Sequence, residues 1–267
     1  MNDLLNMTIL GIVQGLTEFL PVSSSGHLVL AQNLLGFKAM SGLGVELLLH
    51  GGTVLAVLVY YRRLIGEILG GLVRREADAW RFAGAILLSM IPAGLLGILC
   101  EDQLEAASEH PAFVCAMLCL TGLLLLASRL VCRPLTRSVG PIGALTMGVA
   151  QAVAMLPGVS RSGSTLAASR FLGIDSDKAA AFSFLMVVPL ILGGNLLHLL
   201  KALDGPSDGI FSGITWQTGL VGFAVSAVVG YASVAWMVRL LGKRHFWRFG
   251  IYCLTVGLGG LLWFALR

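Results

Sequence analysis

Residues 11–36 read GIVQGLTEFLPVSSSGHLVLAQNLLG, and residues 148–173, which lie 137 positions further on, read GVAQAVAMLPGVSRSGSTLAASRFLG. The two stretches align without a gap, and nine of their 26 positions are identical. The identities include a complete V-S-x-S-G core at 22–26 and 159–163. The same shift carries three apolar runs of the first half onto runs of the second, so the chain contains an internal repeat.

Each repeated stretch is apolar at both ends and polar in its middle. Residues 7–36 and 141–173 are both interrupted by proline, glycine, serine and a charged residue, so neither reads as one continuous helix. Within lipid, such a break is tolerated only where protein or water satisfies the freed backbone groups. We therefore expect two re-entrant helix–loop–helix hairpins whose loops lie inside the protein.

The composition indicates that most of the chain lies in lipid. Of the 267 residues, 57% are hydrophobic and 12% are charged, and the mean hydropathy is +0.88. A soluble domain carries about 25% charged residues, so the sequence predicts an all-α polytopic membrane protein. Six apolar runs predict the transmembrane helices: 46–61, 82–100, 112–129, 179–200, 216–238 and 247–266.

The charges between these runs predict the orientation of the chain. Twelve of the 18 basic residues lie in the connections 62–81, 129–137 and 239–248. The connection 101–110 has four acidic residues and no lysine or arginine. The positive-inside rule therefore places the three basic connections in the cytoplasm.

The repeat and the loop charges together predict one membrane domain, 1–267, built from two halves. Repeat 1 spans about 7–130 and repeat 2 about 141–267. Each half has one hairpin and three transmembrane helices, an odd number of crossings, so the second half is inverted relative to the first. Inverted repeats with broken helices place their irregular segments near the bilayer midplane.

Two opposite charges lie deep in the hairpins. Glu18 is the acidic residue that lies well inside an apolar stretch, and Arg161 lies far from the basic connections. An ionisable residue at the centre of a membrane helix costs at least ~2.5–3.5 kcal/mol, so it normally faces a cavity or a partner. His27 lies nine residues after Glu18, and the repeat pairs Ser24 with Arg161. Because the two loops differ in their reactive residues, we expect one composite site.

The residue types of the loops suit a phosphate substrate. Backbone N–H groups at the start of each second half-helix favour anions, and Arg161 can hold two phosphate oxygens in a planar fork. A hydroxyl nucleophile beside a histidine and a carboxylate completes a hydrolytic constellation. His50 and His198 stand on apolar helices without a partner at matching spacing, so they are interpreted as packing residues. The candidate hydroxyl donors are Ser23, Ser24, Ser25, Ser160, Ser162, Ser164 and Thr165.

The same residues carry a resemblance to a known family. Two parts of the chain resemble the two signature motifs of the bacterial undecaprenyl-diphosphate phosphatase family, of the bacitracin-resistance type. The first consists of QGLTEF at 14–19 followed by PVSSSGH at 21–27, and the second is LPGVSRSGST at 156–165. The resemblance covers nearly the whole chain. It implies hydrolysis of the C55 isoprenoid diphosphate to its monophosphate and inorganic phosphate, which recycles the lipid carrier of cell-wall synthesis. It also implies a site that opens to the outer face of the bacterial cytoplasmic membrane.

The resemblance also implies roles for individual residues. Glu18 corresponds to the acidic residue of the first motif, Ser24 to its proposed nucleophile and His27 to its histidine. Arg161 corresponds to the arginine that binds the diphosphate. Whether Ser24 attacks with His27 as its base, or His27 itself attacks, stays open. The expected substrate-binding residues are Gln14, Ser23, Ser25, Gly26, Ser160, Ser162, Gly163 and Thr165.

The metal requirement, the partners and one alternative function stay open as well. Gln14 occupies a position where the family pattern accepts Glu or Gln, so a metal held by two glutamates is in doubt, and Mg²⁺ or another divalent cation could arrive with the diphosphate. The expected partners are the polyprenyl diphosphate and membrane lipids, a homodimer stays open, and no nucleic acid is expected. The alternative is a transporter or flippase for a polyprenyl phosphate or another anion, since transporters share this architecture. Transport needs no nucleophile, so the set of Ser24, His27 and Glu18 favours the enzyme.

Overall fold

The computed structural model describes residues 3–35, 43–131, 134–203, 214–242 and 245–266. Regular structure in these ranges is helical, apart from one isolated bridge between Arg137 and Ile174. The α-helices of the described ranges are α1 (Asp3–Phe19), α2 (Ser24–Leu35), α3 (Leu43–Tyr60), α4 (Arg62–Val73), α5 (Ala77–Leu99), α6 (Glu101–Ser108), α7 (Pro111–Ala127), α8 (Pro141–Val153), α9 (Arg161–Phe171), α10 (Ser176–Leu185), α11 (Val187–Leu203), α12 (Trp216–Gly242) and α13 (Arg248–Ala265).

The segments that are long and apolar enough to cross a membrane follow the predicted runs. Five segments meet this description on their own: Ala77–Leu99, Pro111–Leu130, Ser176–Leu197, Trp216–Gly242 and Arg248–Ala265. A sixth span arises if the pair Gly44–Tyr60 and Arg62–Val73, which is bent by 73°, counts as one. The prediction of an all-α protein with several membrane-spanning helices is confirmed for the described part of the chain.

Two segments that the sequence predicts as polar connections are helical instead. α4 occupies most of the connection 62–81, because its Leu64, Ile65 and Ile68 form an apolar side that packs on the core. α6 occupies most of the connection 101–110, where good helix formers follow two acidic residues at the positive end of the helix dipole. The expectation of loops at these two places is wrong.

The predicted run 179–200 contains a break at Met186, which separates α10 from α11. Pro189 lies in the first turn of α11 and has no N–H to donate to the carbonyl group of Leu185. The missing hydrogen bond explains why one apolar run forms two consecutive helices.

Both interrupted stretches form helix–break–helix segments. The first break, 20–23, separates α1 from α2, and the second, 154–160, separates α8 from α9. A proline lies in each break, where it cannot continue the helical hydrogen bonds. Ser23 in the first break has a φ of 69°, and Gly158 in the second has a φ of 97°. The predicted interruption of the two repeated stretches is therefore confirmed.

A serine starts the second helix of each hairpin in the same way. The Ser23 Oγ accepts a hydrogen bond from the Gly26 N–H at 3.2 Å, at the start of α2. The Ser160 Oγ accepts one from the Gly163 N–H at 3.1 Å, at the start of α9. Each serine satisfies one of the N–H groups that a helix leaves unpaired at its first turn. The two serines are 137 positions apart, so the repeat extends to the capping hydrogen bonds.

Each hairpin packs against a helix from the other half of the chain. α1 packs against α12, and α8 packs against α5. Gly15 of α1 lies against the backbone of Ser226, and Gly148 of α8 lies against the backbone of Ser89. A side chain at either glycine would collide with that backbone, as is typical where small residues let membrane helices approach closely. Each half of the chain therefore packs on the other, and the two breaks contact each other.

Candidate active site

A polar cavity lies where the two breaks meet. It has a volume of about 200 Å³, and both halves of the chain contribute to its lining. The polar lining residues are Thr17, Glu18, Ser23, Ser24, Ser25, His50, Gln151, Ser160 and Arg161. The apolar lining residues are Ala154, Met155, Val159, Val187, Leu190 and Ile191. The cavity therefore combines the polar hairpin breaks with an apolar wall to which α11 contributes.

The carboxylate of Glu18 joins the two hairpins. Its Oε1 lies 2.6 Å from the Arg161 Nη2, and its Oε2 accepts a hydrogen bond from the Ser24 Oγ at 2.7 Å. The Gln14 Nε2 donates to the same Oε2 at 3.0 Å. The side chains of Glu18 and Arg161 are 6% and 12% exposed, so the two charges form a nearly buried ion pair. Removing one partner of such a pair leaves a buried charge uncompensated.

Arg161 is anchored on two sides. Besides the contact with Glu18, its Nη1 donates to the carbonyl oxygen of Ser183 at 3.3 Å. A guanidinium group has five N–H donors, so these two contacts leave donors for a bound anion. Arg161 is also the first residue of α9, beside the N–H groups of the first turn of that helix.

The two breaks contact each other directly. The Ser25 Oγ accepts a hydrogen bond from the Gly158 N–H at 3.4 Å, and the Ser162 Oγ donates to the Leu20 carbonyl oxygen at 2.9 Å. The Ser160 N–H donates to the Thr121 Oγ1 on α7 at 2.9 Å. These bonds fix the positions of the hydroxyl groups around the cavity.

The structure brings half of the predicted site residues to the cavity. Those that line it are Glu18, Ser23, Ser24, Ser25, Ser160 and Arg161. Those that do not line it are Gln14, Gly26, His27, Ser162, Gly163 and Thr165. Most of the second group support the hairpins instead; for example, the Thr165 Oγ1 lies 2.6 Å from the Ser183 Oγ.

His27 does not line the cavity, and its ring nitrogens contact neither the Ser24 hydroxyl group nor the Glu18 carboxylate. Its Nδ1 is 2.8 Å from the Ser23 carbonyl oxygen, and its Nε2 is 2.8 Å from the Tyr252 hydroxyl group. The imidazole also stacks on the Tyr252 ring, with 5.6 Å between the ring centroids. Because both ring nitrogens have these partners, His27 makes no hydrogen bond to Ser24, as it would if it were the base for Ser24.

His50 lies in the cavity, contrary to its interpretation as a packing residue without a partner. Its Nε2 is 3.8 Å from the Glu18 Oε2, and its Nδ1 is 3.0 Å from the Glu46 carbonyl oxygen. The partner lies on α1, so spacing along the helix of His50 gave no signal for it. The side chain of His198 lies outside the described part of the structure.

Gln151 and Thr17 are further polar cavity residues that the sequence did not predict. A signal was present, because the repeat pairs Gln151 with Gln14. The same shift of 137 relates further lining residues to one another: Thr17 and Ala154, Glu18 and Met155, Ser23 and Ser160, Ser24 and Arg161, His50 and Val187. Much of the cavity is therefore lined by equivalent positions of the two halves, and in four of the five pairs the two side chains differ.

The donor set does not fit a metal ion held by protein ligands alone. Glu18 is the one carboxylate in the cavity lining, and both of its oxygens accept hydrogen bonds from the protein. In the ranges that the structure describes, no group of three or more histidine, cysteine, aspartate or glutamate residues could hold a metal.

Comparison with known proteins identifies the family. The model of the family described as bacitracin resistance protein BacA matches residues 7–259. A protein named undecaprenyl-diphosphatase from Christiangramia forsetii is 41% identical over 265 residues, which cover 97% of this chain and 98% of that protein. A protein of the same name from Bacteroides fragilis is 40% identical, and the match covers 93% of this chain and 94% of that protein. Another, from Novosphingobium aromaticivorans, is 36% identical, and the match covers 100% of both chains. Because these matches span nearly the whole chain, this protein belongs to the bacitracin resistance protein BacA family.

Proposed function

We propose that this protein hydrolyses undecaprenyl diphosphate to undecaprenyl phosphate and inorganic phosphate. One observation carries the proposal: the Ser24 Oγ lies 2.7 Å from one oxygen of Glu18, and Arg161 lies 2.6 Å from the other. This contact places a hydroxyl nucleophile, a carboxylate base and a phosphate-binding cation in one cavity. The names of the related proteins support the same substrate.

In the proposed reaction Ser24 attacks the terminal phosphorus of the diphosphate. Glu18 accepts the hydroxyl proton as the Ser24 oxygen forms its bond to phosphorus. The phosphoanhydride bond breaks, and undecaprenyl phosphate leaves with the bonding electron pair. Arg161 and the N–H groups at the start of α2 and α9 stabilise the charge on the transferred phosphoryl group. Water then hydrolyses phosphorylated Ser24.

Glu18, rather than His27, is the base in this proposal. Glu18 contacts the Ser24 hydroxyl group, whereas the ring nitrogens of His27 contact Ser23 and Tyr252. His27 supports the first break from the opposite side, because it links the start of α2 to α13.

The apolar wall of the cavity indicates the side from which the isoprenoid chain of the substrate extends. Met155 lies at the second break, and Val187, Leu190 and Ile191 lie in the first turns of α11. These side chains offer the isoprenoid hydrocarbon an apolar surface, much as the surrounding lipid does. The diphosphate then lies at the hairpin breaks, and the chain leaves along α11.

The cavity lining also supports an inverted-repeat arrangement with two re-entrant hairpins. Ten of the fifteen lining residues form five pairs separated by 137 positions, and α2 and α9 begin 137 positions apart. α7 and α13 begin at Pro111 and Arg248, which are related by the same shift. The basic connections then lie in the cytoplasm, and the cavity opens to the outer side of the cytoplasmic membrane.

Cysteine accessibility tests this orientation. We expect Glu105→Cys, in α6, to react with a membrane-impermeant thiol reagent in intact cells, and Thr136→Cys to react only after permeabilisation. Both positions are exposed in the structure, so burial does not determine the result. The parent protein, with its own cysteines, gives the background. Labelling of Thr136→Cys in intact cells would contradict the orientation.

A divalent cation enters this proposal only with the substrate. Because the cavity does not fit a metal held by protein ligands alone, we propose that such an ion reaches the site bound to the diphosphate. No step described above depends on it.

Phosphate release by the purified protein tests the proposed function. We expect many turnovers of undecaprenyl diphosphate, with equal amounts of undecaprenyl phosphate and inorganic phosphate, measured with and without a chelator. The same protein in vesicles separates hydrolysis from transport. Movement of intact diphosphate across the membrane without phosphate release would contradict the proposal and favour a transporter.

Replacement of Arg161 by lysine is expected to lower phosphate release by on the order of 10²–10³-fold, although the positive charge is kept. An ammonium group cannot reproduce the planar contact with Glu18 and phosphate that a guanidinium makes. The measurement is kcat/KM for the folded variant, with Arg170→Lys as a matched control outside the cavity lining. Turnover of Arg161→Lys near the parent rate would show that Arg161 does not bind the substrate.

A further inference from the structure

Gln151 lines the cavity but takes no part in the attack of Ser24. It lies in the last turn of α8, where Ala152 and Val153 separate it from the second break, and its side chain is fully buried. Neither its amide nitrogen nor its amide oxygen has a hydrogen-bond partner among the residues that the structure describes. Buried amide groups are nearly always hydrogen-bonded, because burial without a partner is costly. The free amide therefore points to a ligand that occupies the cavity.

Gln14 provides a comparison, because its amide nitrogen has a partner although its Oε1 has none among the described residues. Gln14 is the equivalent glutamine of the first half, and it is fully buried as well. Its Nε2 donates to the Glu18 Oε2 at 3.0 Å, and it does not line the cavity. The two related glutamines thus have different surroundings: Gln14 supports the base, whereas Gln151 faces the space beside Ser24, Glu18 and Arg161.

The chemistry of an amide selects the kind of ligand. A phosphate anion offers only acceptors, so it can use the Gln151 N–H groups but leaves the amide oxygen unpaired. A water molecule and a phosphoryl group together would satisfy both the amide oxygen and the amide N–H groups of Gln151. The amide oxygen accepts a hydrogen bond from the water, and an amide N–H donates one to a phosphoryl oxygen. Arg161 and the helix starts already supply donors to the substrate.

We infer that Gln151 holds and orients the water molecule that hydrolyses phosphorylated Ser24. This inference rests on the proposed function and on Ser24 as its nucleophile. Glutamine side chains orient attacking water in other phosphoryl-transfer enzymes. Gln151 would then act in the second half of the reaction, whereas Gln14 supports Glu18 as the base of the first half.

The second half of the reaction balances without another base. The water oxygen forms a bond to phosphorus, and the bond between phosphorus and the Ser24 Oγ breaks. The electron pair of that bond goes to Oγ, which takes back the proton that Glu18 accepted in the first half. The water molecule keeps both hydrogens within the released phosphate, one of them transferred to a phosphoryl oxygen, so the product leaves as dihydrogen phosphate.

Replacement of Gln151 by methionine tests the inference, because methionine has a similar volume and breaks no hydrogen bond of the described structure. With substrate labelled in its terminal phosphate, we expect a rapid burst of undecaprenyl phosphate. Steady phosphate release is expected to fall by on the order of 10²–10³-fold, as for the loss of one oriented polar group in an active site. Labelled phosphate is expected to accumulate on the Ser24 peptide after acid quenching.

Gln14→Met is the matched control, since it makes the same change at the equivalent position of the first half. It weakens the support of Glu18 and slows the attack itself, so no labelled protein is expected. If Gln151→Met does not fold, Gln151→Asn keeps an amide but withdraws it from the water, and the same accumulation is expected.

The outcomes separate this inference from the proposed function. An active wild-type protein, together with a Gln151→Met variant that turns over normally or slows without labelled protein, overturns the role of Gln151 and leaves the proposed function intact. A wild-type protein that releases no phosphate overturns both.

Discussion

Replacement of Ser24 by alanine should lower phosphate release by on the order of 10⁴–10⁶-fold, the range expected when a serine nucleophile is removed. The Ser24 hydroxyl group is the one that contacts the base, at 2.7 Å from the Glu18 Oε2. Binding of the diphosphate should change little, because Arg161 and the N–H groups of the two helix starts remain. The measurements are kcat from phosphate release and Kd from substrate binding to the inactive variant.

His27 provides the comparison for this result. His27→Gln should retain far more activity than Ser24→Ala, because the His27 ring contacts Ser23 and Tyr252 and does not line the cavity. The rival mechanism, in which His27 attacks phosphorus, predicts the reverse order of activities. A dead His27→Gln variant beside a merely impaired Ser24→Ala variant would establish the rival.

Replacement of Glu18 by glutamine is expected to lower kcat by on the order of 10²–10⁴-fold, the usual contribution of a general base. Glutamine has nearly the same shape but cannot accept the Ser24 proton as a carboxylate does. The change also removes the negative charge beside Arg161, so the guanidinium is free to bind phosphate and KM should not rise.

The stability of the Glu18→Gln variant should fall as well, because Arg161 is left as a nearly buried, uncompensated charge. The double variant Glu18→Gln/Arg161→Gln removes both charges and is expected to recover part of that stability. Thermal unfolding in detergent measures both effects. A Glu18→Gln variant with parent-like kcat would exclude Glu18 as the base.

The sequence predicted those parts of the architecture that follow from the length of the apolar runs and from the internal repeat. The break between α1 and α2 and the break between α8 and α9 lie within the two stretches that the repeat identified. The helices α4 and α6 were predicted as connections because their charges dominate the pattern, although α4 also has an apolar side. The break at Met186 depends on one missing N–H group, at Pro189, within an otherwise uniform apolar run.

The candidate site shows what sequence can and cannot supply. Glu18 and Arg161 stand out because isolated charges in apolar stretches need partners, and the structure pairs them with each other. His27 is close to Ser24 along the chain, but Tyr252, from the far end of the chain, contacts its ring. His50 of α3 approaches Glu18 of α1, and the spacing of residues along the chain does not predict a contact between these two helices.

The stereochemical outcome at phosphorus tests the central claim most directly. Undecaprenyl diphosphate whose terminal phosphorus carries one sulfur and two different oxygen isotopes can be hydrolysed by the wild-type protein in water labelled with the third oxygen isotope. The configuration of the released thiophosphate can then be determined. Attack by Ser24 followed by attack of water inverts the phosphorus twice, so the account predicts overall retention of configuration. Inversion would mean that water attacks the diphosphate directly, and it would contradict a phosphorylated Ser24.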